Sequence, residues 1–171
     1  DNIIGIKDNQ FEIKIDFIKE IKKYLQGEYS CKYANIAMNY CLNKGFSKEE
    51  LLNRLITLKP VKYRLNKVFE NKQFIFINDS KSTTSNSSKY CFETFSDRPR
   101  ILILGGKHKS NKFNIKINNN DLVLIYGIDK NIINKEINGL LFNNLEEIMK
   151  YIKTLKNKYY VLFSPGCDSH D

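Results

Sequence analysis

Short apolar runs alternating with helical patterns constrain this chain more than any other feature. The runs lie at residues 74–77, 101–104, 122–126 and 160–163, with a weaker one at 140–142. Helical stretches fall between them at about 85–95 and 145–155, the second placing Leu145, Ile148, Met149 and Ile152 on an inward face. Strands that are almost continuously apolar are buried on both sides, and strand alternating with helix argues for a parallel sheet. The expected fold is α/β, a Rossmann-like, mostly parallel sheet with flanking helices.

The first 58 residues follow another pattern. Ile4 and Ile6 alternate, a turn follows at Asp8-Asn9, and Phe11, Ile13 and Ile15 alternate again, which predicts a β-hairpin. Phe17, Ile18, Ile21 and Leu25 share one face of a short helix that Gly27 would end. The spacing predicts a helix over 33–42, with Ile36, Ala37, Tyr40 and Cys41 inward. Ser47 and Glu50 form a capping box that opens another helix, with Leu51, Leu52, Leu55 and Ile56 inward. Lys59-Pro60 resists helix and marks a boundary. Residues 1–58 are therefore expected to be the tail of a preceding domain, and residues 59–171 the Rossmann-like domain. Both ends read as cut from a longer protein.

The formal charge of +9 raises a nucleic-acid surface, but the lysines are dispersed and not interleaved with aromatics in one stripe. A Lys- and Asn-rich composition with its lysines on solvated faces is the favoured reading, and a basic cleft that draws in nucleotide and acidic substrate is a middle one. No apolar run is long enough to span a bilayer, so neither nucleic acid nor membrane is an expected partner. The four cysteines lack C-x-x-C spacing, and only His108 and His170 could join them, so no zinc site is expected. A reducing cytoplasm is the natural compartment for them.

In open α/β sheets, ligands bind outside the carboxyl ends of the strands. Three loops there carry chemistry. After 74–77 comes Asn78-Asp79-Ser80-Lys81-Ser82-Thr83. An extended loop would point Asp79, Lys81 and Thr83 into one crevice, offering a carboxylate, an ammonium and a hydroxyl. After 101–104, Gly105-Gly106 permits close backbone approach and Lys109 can hold a carboxylate. After 160–163 comes Ser164-Pro165-Gly166-Cys167-Asp168-Ser169-His170-Asp171. Cys167 and His170 are poor candidates for a catalytic dyad, with no third group to orient them.

These loops carry a resemblance. Asn78 to Thr83 resembles the N-D-S-K-x-T segment of the Mur ligase family, in its D-glutamate-adding branch. Pro60-Val61-Lys62-Tyr63-Arg64 resembles the family's P-x-R segment, with Tyr63 where His is usual. Residues 105–109 match G-G-x-x-K, with Lys107 in a stretch that is often acidic. Residues 164–171 resemble S-P-A-x-A-S-x-D, with Gly166 and Asp168 replacing alanines and His170 replacing a bulky apolar residue. Asn35 faintly resembles the Asn that touches adenine in the family's central domain, and is equally a helix-start residue.

The resemblance implies an ATP- and Mg2+-dependent ligase of cytoplasmic peptidoglycan precursor synthesis, acting as a monomer. It would join D-glutamate to UDP-N-acetylmuramoyl-L-alanine through an acyl phosphate. It implies that Asp79 binds ribose hydroxyls, that Arg64 reaches the phosphates and that Lys81 sits between phosphates and amino acid. Thr83, Lys109 and Ser169 would hold the D-glutamate carboxylates, with His170 beside them. The chain has no G-x-x-x-x-G-K-[ST] loop, so the segment alone is expected to be inactive and the Mg2+ ligands to lie largely outside it. The rivals are another ATP-dependent amino-acid ligase, of folate polyglutamate or cyanophycin type, and a Rossmann-like module for nucleotide or nucleic acid.

Overall fold

The computed structural model describes residues 4–6, 9–11, 13–109 and 112–168. It divides into two compact units, Asp1–Pro60 and Val61–Asp171.

In the first unit, β1 (Ile4–Ile6) pairs antiparallel with β2 (Asn9–Phe11). The second strand stops at Phe11, short of the predicted alternation through Ile15. Two asparagines satisfy the chain beyond it. Asn39 Oδ1 accepts the Lys14 and Ile15 N–H groups at 2.9 and 3.0 Å, and Asn39 Nδ2 donates to the Ile15 carbonyl at 2.7 Å. Asn35 Oδ1 accepts the Phe17 N–H at 2.8 Å. A carboxamide supplies both donor and acceptor, so it can replace a strand neighbour for buried backbone.

Those asparagines sit on α2 (Glu28–Asn43), which follows the single turn α1 (Ile18–Ile21) and precedes α3 (Lys48–Leu55). Gly27, with φ of 86°, opens α2 and does not end the helix before it. The inward face of α2 is Cys31, Asn35, Met38 and Asn39, and Tyr40 is 54% exposed. The predicted face was rotated because hydrophobicity counts asparagine as outward, whereas here the buried backbone draws it inward. The capping box forms as predicted: Ser47 Oγ accepts the Glu50 N–H at 3.2 Å, and the Glu50 carboxylate accepts the Ser47 N–H at 2.8 Å. Leu51 and Leu55 of α3 are buried, but Ile56 is exposed.

The second unit runs β3 (Asn66–Glu70), β4 (Phe74–Asn78), α4 (Ser85–Thr94), β5 (Arg100–Gly105), β6 (Leu122–Tyr126), α5 (Lys130–Ile137), β7 (Leu140–Leu141), α6 (Leu145–Thr154) and β8 (Tyr159–Gly166). The sheet order is β3-β4-β8-β5-β6-β7, and every pairing except β3 with β4 is parallel. Alternate residues of the inner strands fill two cores. Ile75, Ile77, Leu102, Leu104, Ile125 and Leu162 pack with Cys91 and Phe92 of α4 and Ile133 of α5. Phe74, Ile101, Ile103, Leu124 and Val161 pack with Ile148 and Ile152 of α6. Burial on both faces explains why the strands read as unbroken apolar runs. Leu145 and Met149 of α6, predicted inward, lie at the exposed margin of that packing.

This topology positions the site. The last strand, β8, inserts between β4 and β5, so the loops after these three strands leave the same edge of the sheet side by side. The opposite edge is clamped by a buried ion pair. Asp121 Oδ2 meets an Arg100 terminal guanidinium nitrogen at 2.7 Å, and Asp121 Oδ1 accepts Arg100 Nε–H at 3.1 Å and the Arg100 backbone N–H at 2.9 Å. The guanidinium also lies 3.9 Å over the Phe92 ring.

Candidate active site

Backbone hydrogen bonds join the loops of this rim in sequence. The Lys81 N–H donates to the Tyr63 carbonyl at 3.2 Å, tying the 61–65 segment to the loop after β4. The Gly166 N–H donates to the Ser82 carbonyl at 2.9 Å, tying that loop to the end of β8. Lys107 and Asp168 exchange two backbone hydrogen bonds, at 3.0 and 3.1 Å, tying the end of β8 to the loop after β5. The segments of Arg64, of Lys81 and Thr83, and of Lys109 are thereby linked along one edge, and the side chains of all four residues are exposed there. Ser169 and His170 fall outside the described residues.

The loop after β4 is not extended as the two-residue spacing suggested. The Ser82 N–H donates to the Asp79 carbonyl at 2.9 Å, closing a turn. Lys81 and Thr83 therefore face out while Asp79, 4% exposed, faces in. The Asp79 carboxylate accepts the Leu65 N–H at 3.1 Å, the Ser164 hydroxyl at 2.8 Å and the Ser82 hydroxyl. The oxygens expected to meet ribose hydroxyls are thus engaged by the chain's own donors. A buried carboxylate needs donors, and here the chain's own groups provide them. Asp79 is a positioning residue that gathers the 61–65 segment, the β4 loop and β8.

One consequence is visible at Arg64. Its neighbours Tyr63 and Leu65 both have left-handed backbone, with φ of 67° and 47°. Such conformations are costly for side chains of this size and persist only where surroundings impose them. The hydrogen bonds to Lys81 and Asp79 impose them here. Arg64 is thus presented by a rigid clip at the rim.

The loop after β5 is held as firmly. Gly106 has φ of 115°, and a Cβ there would collide with the Asp168 carbonyl oxygen. The predicted close approach is therefore met by the chain's own backbone at the end of β8. The His108 N–H donates to Asp129 Oδ2 at 2.8 Å, and His108 Nε2 meets Glu136 Oε2 of α5 at 3.1 Å. Lys109 follows directly, its Nζ 2.7 Å from Asp168 Oδ1. Cys167 is buried behind this loop. Burial pushes its thiol up to about 12, and the nearby carboxylates of Asp129, Asp168 and Glu136 add to the rise. It stays a thiol near neutral pH and is no nucleophile.

Asn35 belongs to the first unit. It lies inside α2 and not at a helix start, it is 5% exposed, and its carboxamide oxygen is taken by the Phe17 N–H. The anchors Asp129, His108 and Glu136 and the Lys109 partner Asp168 were not singled out from sequence as parts of a site. Among the described residues no group of three histidine, cysteine or acidic side chains is placed to hold a metal ion.

No family model matches the chain. A UDP-N-acetylmuramoylalanine–D-glutamate ligase from Prochlorococcus marinus is 27% identical over 161 residues, covering 86% of this chain and 34% of that protein. The ligase of the same name from Buchnera aphidicola is 36% identical over 121 residues, covering 64% and 26%. That from Porphyromonas gingivalis is 32% identical over 133 residues, covering 72% and 29%. Among solved structures, UDP-N-acetylmuramate–alanine ligase from Thermotoga maritima superposes with a TM-score of 0.69 at 17% identity, over 84% of this chain and 36% of that one. A Thermotoga maritima MurF ligase in complex with ADP gives 0.56 at 20% identity, over 83% and 35%. At those identities the structures speak for the fold alone.

In sequence the chain is similar to these ligases, and in fold to Mur ligase structures. Its curated sequence relatives described above are all UDP-N-acetylmuramoylalanine–D-glutamate ligases, and the chain spans about a third of their length or less.

Proposed function

We propose that this chain is the part of an ATP-dependent ligase that receives D-glutamate for attachment to UDP-N-acetylmuramoyl-L-alanine. The activated carboxylate would be an acyl phosphate, which the D-glutamate amine attacks with loss of phosphate. Residues 59–171 form the amino-acid-binding domain in this reading, and residues 1–58 the tail of the ATP-binding domain. The carrying observation is the rim of tethered loops, with Lys81, Thr83 and Lys109 exposed along it. A dicarboxylate needs several cationic or hydroxyl partners at once, and this edge supplies them.

Lys109 and Thr83, with Ser169, take the carboxylates. Lys81 lies between amino acid and phosphates, and Arg64 turns its planar fork to the phosphates. Asp79 contributes by holding the loops and not by touching nucleotide. Holding reactants in place and stabilising charge is most of the catalysis in phosphoryl transfer. The 171-residue segment by itself makes no product in this reading.

The test uses the full-length protein, following phosphate release with ATP, UDP-N-acetylmuramoyl-L-alanine and one amino acid at a time. Release that requires D-glutamate is the expected result. Release driven by a folate substrate with L-glutamate, or none with any amino acid alongside salt-dependent binding of DNA or RNA, would replace the reading.

A further inference from the structure

The cation assigned above to a substrate carboxylate already faces one from its own chain. Lys109 Nζ lies 2.7 Å from Asp168 Oδ1. The two backbone hydrogen bonds between Lys107 and Asp168 fix Asp168 beside this loop, whatever its side chain does. On the other side, His108 is anchored to Asp129 and Glu136, which fixes where Lys109 starts. Lys109 and Asp168 nevertheless remain half-exposed, at 44% and 46% of their side chains, so the pair can open without breaking either loop.

We propose that Asp168 is a built-in competitor for Lys109 and so sets how tightly the ligase captures its acidic amino acid. The inference rests on Lys109 being the cation that takes a substrate carboxylate. An incoming carboxylate displaces one that is tethered at the same ammonium. Part of its attraction is spent on that exchange. The side chain of Asp168 also sets a negative charge beside the ammonium that a dicarboxylate substrate must reach. Exposed ion pairs of this kind are weak, which limits the penalty to a modest factor and keeps the site usable.

The test compares the full-length enzyme with Asp168→Asn, Asp168→Ala and each combined with Lys109→Ala. The backbone bridge to Lys107 survives both substitutions, and the two differ in size, so a packing effect of one is exposed by the other. In the Lys109-containing enzyme, both are expected to lower KM for D-glutamate about two- to fivefold, more than they alter kcat. In the Lys109→Ala background the same substitutions change KM by a smaller factor, because the contested ammonium is gone. An unchanged or raised KM in both variants of an active enzyme would overturn the proposal and leave the ligase reading intact. A wild-type enzyme with no turnover on an acidic amino acid would remove the ligase reading, and the proposal with it.

Discussion

Replacing Asp121 with Ala in the full-length protein should destabilise the sheet unit by about 3–5 kcal/mol. Arg100 and Asp121 are 8% and 2% exposed at the side chain, so water cannot take the place of the lost partner. Removing the carboxylate strands a guanidinium, the Arg100 N–H and the Asn118 N–H together. Substituting both members with apolar residues should cost less than removing one, because no charge is left alone. Urea unfolding of the transition that involves this unit measures both. The pair also carries a pH dependence. Burial works to raise the Asp121 carboxyl, but hydrogen bonds from the Arg100 side chain and backbone and from Asn118 outweigh it, so its pKa is lowered on folding. A depressed carboxyl contributes stability that is present above the unfolded value of about 3.9 and is lost as pH falls through the lower folded value. The Asp121→Asn protein should show a flatter acid limb.

Asp79→Ala should have an effect of similar size, about 3–5 kcal/mol, for a different reason. Three donors from three segments lose their shared acceptor: the Leu65 N–H and the hydroxyls of Ser82 and Ser164. The left-handed backbone at Tyr63 and Leu65 then has less to hold it. Hydrogen exchange of the 61–65 amides should rise in the variant even without nucleotide. A residue that acted only by binding ribose would leave both stability and exchange of the free protein unchanged. The two accounts of Asp79 are separated by that comparison.

The sheet was legible because its strands are buried on both faces, which leaves few readings for runs such as Ile101 to Leu104. The missed helix α5 has a polar sequence, Lys130-Asn131-Ile132-Ile133-Asn134-Lys135, with Ile133 as its buried residue. Its signal was therefore thin. The rotation of α2 and the inward turn of Asp79 share one cause. In both, a polar side chain goes inside to satisfy backbone or hydroxyl groups that no strand reaches, and a hydrophobic pattern cannot register that demand. A hint was present at Asp79, since Ser80, Ser82, Thr83 and Thr84 crowd hydroxyl donors around one carboxylate. Lys109 was singled out by its motif, whereas its partner Asp168 registered only as a departure from one. Which strand ends lie side by side depends on β8 entering the middle of the sheet, and that is a property of topology and not of any local pattern.

The central claim is that loops distant in sequence form one rim that grips an acidic amino acid. Its most direct measurement is KM for D-glutamate in full-length Lys109→Ala and Thr83→Val, set against KM for ATP in the same proteins. Loss of a hydrogen bond to a charged group should raise KM for D-glutamate about 10- to 100-fold for the lysine and less for the threonine, with KM for ATP nearly constant. Unchanged D-glutamate affinity in both variants, or a loss confined to ATP, would contradict the account.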